Sequence, residues 1–156
     1  MKTNSSKNIK AAITAVGGFI PKDFISNQDL EKVLDTTDEW ITTRTGIKKR
    51  RILKGEAKGT SHLAIKAAED LIKKSNINPE TIDLVIVSTI TPDYKGPATA
   101  ATVASAINAK NAYAFDLSAA CSGFLYGMST ATSFIESGRY SKVLLIGADK
   151  MSSVVD

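Results

Sequence analysis

A chain of 156 residues, 43% hydrophobic and 23% charged with a net charge of +4, is long enough for a sizeable core and too mixed in character for a disordered or low-complexity polymer. One cysteine excludes an internal disulfide, and no apolar run approaches the roughly 20 residues a membrane helix needs. Met1–Lys7 carries charge with no apolar stretch after it, so a protein that is not exported is expected, and a single free thiol suits a reducing cytoplasm.

Ile9–Val16 reads as a strand that ends at Gly17 and Gly18. Ser26 with Asp29 three residues later predicts a capped short helix through Leu34. Thr36-Thr37-Asp38-Glu39 repeats the signal, and either threonine can cap a helix carrying Trp40 and Ile41. Lys48-Lys49-Arg50-Arg51 is the densest cationic cluster. It comes without zinc spacing, RNA-binding aromatics or a basic amphipathic helix, so it reads as a solvated basic loop and no nucleic-acid partner is expected.

A longer helix is expected from Thr60 or Ser61 to about Asn76, with Leu63, Ala67 and Leu71 on one stripe and Ala64, Ala68 and Ile72 on the next. His62, in its first turn, has no placed partner and reads as a surface or capping residue. Ile82–Thr89 is nearly continuous in apolar and β-branched character, which is the pattern of a central parallel strand covered on both faces. Pro97 suits the first turn of an alanine-rich helix to about Asn108, and Ala112–Leu117 follows as a short strand. The next helix is expected to bury Phe124, Leu125, Met128 and Ile135 and to end at Ser137 and Gly138 with a left-handed glycine cap. Lys142–Ala148 forms a last strand. Strands alternating with helices predict an α/β fold with a mostly parallel sheet flanked by helices, in one domain.

Cys121 sits where the strand to Leu117 meets this helix, between Ala119-Ala120 and Ser122-Gly123. Backbone N–H groups and the positive end of the helix dipole there favour thiolate, and the small flanks let a substrate approach the sulfur. A buried cysteine acting as a small hydrophobe is the alternative reading. Ala119-x-Cys121-x-Gly123 also has the spacing of a hydrolase elbow, but that fold places its histidine after the nucleophile, and no histidine follows Cys121.

Three stretches together resemble the N-terminal half of β-ketoacyl-acyl-carrier-protein synthase III, a condensing enzyme of the thiolase superfamily. They are Asp35–Ile41 with Thr43–Ile47, Ala114–Phe124, and Ser137-Gly138 with the strand to Asp149. The resemblance implies a thiolase-like half, residues 1–156, in which Cys121 takes an acyl group from acyl-CoA, commonly acetyl-CoA. Condensation with malonyl-acyl-carrier protein then releases CO2 and starts type II fatty acid synthesis. It implies that Trp40 and Arg44 hold the adenine of coenzyme A, with Thr36 at the nucleotide end, and that the Cys121 N–H is an oxyanion donor. Gly96 falls where the family inserts a side chain from the partner subunit at the end of the acyl pocket, so primers longer or more branched than acetyl are expected unless Tyr94 or Lys95 fills the gap; a turn glycine before Pro97 is the alternative reading. The resemblance further implies a homodimer and no bound cofactor or metal, acyl-CoA being a substrate.

Family members are about twice this length, and their catalytic histidine and asparagine lie in the other half. His62 does not match that histidine, so this chain alone is expected not to condense. A non-catalytic acyl-CoA-binding half is the alternative from another class. Polyketide starter synthases and hydroxymethylglutaryl-CoA synthases are the alternatives within the superfamily.

Overall fold

The computed structural model describes residues 9–55 and 59–154, so Met1–Lys7 and Asp156 lie outside it. These residues form two compact units, one of residues 20–55 with 152–154 and one of residues 9–19 with 59–151.

In the smaller unit, strand β1 (Phe24–Ser26) leads into helix α1 (Asn27–Glu31), then helix α2 (Asp38–Thr45) and strand β2 (Lys49–Arg51). The capping box expected at Ser26 is present: its hydroxyl accepts from the Asp29 N–H at 3.1 Å, and the Asp29 carboxylate accepts from the Ser26 N–H at 3.1 Å. The helix stops at Glu31, short of Leu34. Of the two candidate threonines, Thr37 caps α2, accepting from the Trp40 N–H at 3.0 Å. That choice takes Glu39 out of the box position, and Glu31 supplies a carboxylate to the Asp38 N–H instead.

The basic cluster corrects a sequence expectation. Lys49–Arg51 is a strand paired antiparallel with β1, with Ile25 opposite Arg50. Pairing overrides the weak strand propensity because the chain gives these side chains partners. Arg50 donates to the Oδ1 of fully buried Asn27, and Lys49 lies 4.4 Å from the centroid of the Phe24 ring. Asn27 Nδ2 donates in turn to Asp38 at 2.6 Å, Thr42 at 3.2 Å and the Ile47 carbonyl at 2.8 Å, so one buried amide ties α1 to both ends of α2.

In the larger unit, helix α3 (Thr60–Ser75) is followed by strand β3 (Leu84–Ser88), helix α4 (Thr99–Ala106), strand β4 (Tyr113–Leu117), helix α5 (Gly123–Glu136) and strand β5 (Val143–Gly147). The three strands make a parallel sheet in the order β4-β3-β5. Every residue of β3 is buried, as its unbroken apolar run requires at the centre of a sheet covered on both sides. Val85 and Val87 join Leu144 and Ile146 of β5 and Ala64, Ala68, Ala100 and Val103 of α3 and α4 in one core. The Ala64-Ala68-Ile72 stripe of α3 is thus the inward one, and Asn76, at φ 54°, closes the helix.

The opposite face of the sheet packs on α5, and here two expectations change. A Cβ on Gly127 would stand 2.5 Å from Leu145 Cδ1, and one on Gly123 would stand 2.1 Å from Ser88 Oγ. The helix lies so close to the strands that its inward positions belong to glycine, and Phe124 and Leu125 turn outward, 47% and 67% exposed. The expected cap at Gly138 is present, at φ 72°.

Ile9–Val16 is not a strand; no described strand runs beside it to complete a ladder. The segment ends against α3, where the Gly18 N–H donates to Asp70 at 2.9 Å and Gly17 abuts the backbone of Leu71. Helix α4 begins at Thr99, two residues after Pro97, and its N-cap residue Ala98 makes no side-chain cap bond.

Candidate functional site

The C-terminal ends of the three parallel strands, Ser88, Leu117 and Gly147, face the same way, which is where open α/β sheets place their ligands. Three residues after Leu117 the chain makes a tight 3-10 turn, Ala120–Ser122, closed by Ser122 N–H donating to the Ala119 carbonyl at 3.1 Å. Cys121 is the middle residue of that turn and is exposed. The buried-hydrophobe reading therefore fails for this thiol.

Ala120 holds φ at 45°, a left-handed value that a residue with a Cβ adopts only where its surroundings force it. What forces it is the sharp passage from strand to helix, which lifts the thiol off the sheet while Gly123 settles onto Ser88. A strained strand–turn–helix bend that exposes a nucleophile is a recurring catalytic device.

The loop between β3 and α4, residues 89–98, is tied at both ends to the last residues of β4. The Thr89 N–H donates to the Leu117 carbonyl at 3.1 Å, and the N–H groups of Thr99 and Ala100 donate to the Asp116 carboxylate at 2.7 and 2.8 Å. Gly96 lies within this loop, and a Cβ there would meet nothing within 4 Å. His62, in the first turn of α3, makes an edge contact with Phe19, ring centroids 6.2 Å apart.

In the smaller unit, Trp40 and Arg44 stand one turn apart on α2. The Arg44 guanidinium carbon sits 4.5 Å from the indole centroid, and Trp40 is 53% exposed. An aromatic face and a planar cation are thus brought together and open to solvent. Beside them runs an open groove of about 620 Å³ lined by Leu30, Leu34, Thr36, Trp40 and Ile41 among others. The Thr36 hydroxyl is buried there with no hydrogen-bond partner among the described residues. The structure thus brings Thr36, Trp40 and Arg44 together on one unit and places Cys121 and Gly96 on the other. Sequence reasoning missed Asp116, Asp149, Ser88 and Asn27. Their bonds reach residues 11 to 60 positions away, and no local spacing announces them.

Residues 115–156 match the family model described as 3-oxoacyl-[acyl-carrier-protein (ACP)] synthase III. Over 150 residues the chain is 54% identical to β-ketoacyl-[acyl-carrier-protein] synthase III 2 of Bacteroides thetaiotaomicron, covering 96% of this chain and 45% of that protein. It is 56% identical over 148 residues to β-ketoacyl-[acyl-carrier-protein] synthase III of Chlorobaculum tepidum, with 95% and 45% covered. The crystal structure of 3-oxoacyl-[acyl-carrier-protein] synthase III from Aquifex aeolicus superposes with a TM-score of 0.88 at 49% identity, covering 95% of this chain and 47% of that one. The chain spans about half the length of the curated relatives it matches. By sequence along nearly all its length, and by its thiolase-like fold, the chain belongs to the β-ketoacyl-acyl-carrier-protein synthase III family and corresponds to an N-terminal half of such an enzyme.

Proposed function

We propose that Cys121 is the acyl-accepting nucleophile of a 3-oxoacyl-acyl-carrier-protein synthase III that initiates type II fatty acid synthesis. The observation that carries this reading is the exposed thiol at the apex of the Ala120–Ser122 turn, held up by a strained Ala120 at the C-terminal end of a parallel sheet. Its thiolate attacks the acyl-CoA thioester carbonyl, coenzyme A leaves as its thiol, and the acyl group remains on sulfur. Malonyl-acyl-carrier protein then loses CO2, and the resulting carbanion equivalent attacks that thioester. The 3-oxoacyl product leaves on the carrier protein and the thiolate is regenerated. The Cys121 N–H serves as one donor to the oxyanion formed at each attack.

Trp40 and Arg44 take the adenine between them, and Thr36 offers its unpartnered hydroxyl at the nucleotide end of the groove. Opening the Trp40–Arg44 contact to admit the base costs about 0.5–1 kcal/mol at an exposed site, which stacking on both faces offsets. Gly96 leaves the end of the acyl pocket without a side chain, so branched or longer primers enter beside acetyl. Acyl-CoA and malonyl-acyl-carrier protein are the partners, no cofactor is needed, and the enzyme works as a homodimer in the cytoplasm. The histidine and asparagine that family members use in decarboxylation have no counterpart in this chain, so residues 1–156 alone acylate Cys121 weakly and do not condense.

The priming β-ketosynthase of the R1128 polyketide pathway superposes with a TM-score of 0.86 at 37% identity, which makes polyketide priming the second reading. The test incubates the purified protein with acetyl-CoA and with a branched five-carbon acyl-CoA, compares it with Cys121→Ser by intact mass, and then adds malonyl-acyl-carrier protein. Cysteine-dependent acylation supports the assignment. Acylation that survives Cys121→Ser, or none at all, sinks it. Acylation of Cys121 only by a primer other than a fatty acyl-CoA favours the polyketide reading.

A further inference from the structure

The helix that follows the cysteine turn rests on the ends of all three parallel strands. Ser88, Leu117 and Gly147 are the last residues of β3, β4 and β5 and stand in register, Ser88 opposite both of the others. A Cβ on Gly123, the first residue of α5, would stand 2.1 Å from Ser88 Oγ and 3.8 Å from Leu117 Cδ2, and one on Gly147 would stand 3.0 Å from Phe124 Cδ2. Gly123 is buried and Ser88 is 6% exposed, so the serine hydroxyl lies directly against the helix backbone.

Gly123 in turn governs the peptide just before the thiol. Its N–H donates to the Ala120 carbonyl, which belongs to the same planar peptide as the Cys121 N–H. In a trans peptide the C=O and N–H point in opposite directions, so the bond that draws the carbonyl toward Gly123 turns the Cys121 N–H away from the first turn of α5. Ala120, at φ 45°, supplies the left-handed bend that sets this peptide at its angle. The sulfur rotates about its own Cα–Cβ bond and follows a small shift of the turn, whereas the N–H has no such freedom.

We propose that Ser88 is a positioning residue for acyl transfer: by seating Gly123 at a fixed height over the sheet, its hydroxyl holds the Ala120–Cys121 peptide and so aims the Cys121 N–H at the oxyanion that forms on the acyl carbonyl. The inference rests on the assignment of Cys121 as the acyl acceptor. Ser88 acts through Gly123 and takes no part in bond making. Reactions of the sulfur that form no oxyanion are therefore indifferent to the seat, and acyl transfer is not.

The test compares two reactions of Cys121 by intact mass: alkylation by iodoacetamide, in which the thiolate displaces iodide and no oxyanion forms, and acylation by acetyl-CoA, in which one does. Gly123→Ala lifts the turn off Ser88 and is expected to slow acylation about tenfold or more while alkylation stays within about twofold of the unaltered protein. Adding Ser88→Ala removes the oxygen at 2.1 Å and leaves the Ser88 Cβ 3.5 Å away, so the new methyl takes the place of the hydroxyl. The double variant is expected to recover the acylation-to-alkylation ratio to within about threefold of the unaltered protein. Ser88→Ala alone, which removes the support, and Ser88→Val, which sets a bulkier methyl where the hydroxyl was, should each lower the ratio about threefold, and they test the seat should Gly123→Ala fail to fold. A ratio unchanged in either Ser88 variant, or lowered in Gly123→Ala and not recovered in the double variant, overturns the proposal while leaving Cys121 as acceptor. Failure of the unaltered protein to be acylated overturns both.

Discussion

Asp116 caps a helix to which it does not belong. Its two carboxylate oxygens accept from the N–H groups of Thr99 and Ala100 at 2.7 and 2.8 Å, doing for α4 what the apolar N-cap Ala98 cannot. Asp116 points to the α3 and α4 side of the sheet, in register with Val87, and lies five residues before Cys121. The bond pair therefore holds the helix, the end of the 89–98 loop and the strand leading to the thiol together. Asp116→Ala is expected to cost about 1–2 kcal/mol in urea unfolding, the usual loss for a cap, and Asp116→Asn about half of that. A change below about 0.5 kcal/mol for Asp116→Ala would show that the cap contributes little.

How much of this was legible in the sequence follows from the range of the interactions. The Ser26 box, the Thr37 cap, the stop at Asn76 and the glycine at Gly138 are read within four residues of themselves, and each is where it was expected. The buried strand at Leu84–Ser88 was legible because an unbroken apolar run has few other solutions. The turn that carries Cys121 between strand and helix was legible from its small flanks. The outward turn of Phe124 and Leu125 was not, because helical periodicity rewards large apolar residues and gives no credit to the glycines that allow close approach. The pairing of Lys49–Arg51, the Asp116 cap and the bond of Asp149 to Thr89 depend on partners 16 to 60 residues away. Side-chain type alone does not reveal such partners.

The fit of Gly123 on Ser88 gives a paired prediction. A Cβ at residue 123 would lie 2.1 Å from Ser88 Oγ but 3.5 Å from Ser88 Cβ. Gly123→Ala alone is expected to destabilise by about 1–3 kcal/mol through overpacking, reduced as far as the serine hydroxyl can rotate aside. In a Ser88→Ala background the same change should cost at least about 0.5 kcal/mol less, measured as a double-mutant cycle in denaturant. Additive costs would mean that the two residues do not meet.

Two surface carboxyls, one exposed and one half-buried, respond to acid. Hydrogen bonds from Ser26 and the ammonium of Lys32 hold the Asp29 carboxyl well below its ordinary value, and the Lys74 ammonium and the Gly18 N–H lower that of Asp70. Both are ionised at neutral pH, and their folded values lie below an unfolded value near 3.9. Their stabilising contribution is therefore complete above about pH 5 and is lost as pH falls below 4 through the folded values. Carboxyl NMR titration should place both midpoints below that of a peptide aspartate, and Asp29→Asn should flatten the acid limb of stability. An ordinary midpoint at Asp29 would contradict the capping box as drawn.

Trp40 is the only tryptophan, so its fluorescence reports the groove beside it without interference. Acyl-CoA binding should quench it by stacking. Arg44→Gln is expected to weaken binding about threefold to tenfold, because it removes one of the two faces proposed to sandwich the base. Binding left unchanged by Arg44→Gln, measured by fluorescence titration, would remove the guanidinium from the site.

Gly96 separates pocket size from stability. A Cβ there meets no heavy atom within 4 Å, so Gly96→Phe should leave the unfolding free energy in urea within about 0.5 kcal/mol of the unaltered protein. The ring would stand in the space assigned to the end of the acyl chain. Acylation of Cys121 by a branched five-carbon acyl-CoA should then fall by about tenfold or more while acylation by acetyl-CoA is retained, since filling a pocket penalises only the chain that needs it. Equal rates for the two primers in Gly96→Phe would place the pocket's end elsewhere. A loss of both together with lowered stability would mean that the loop, and not the pocket, had been disturbed.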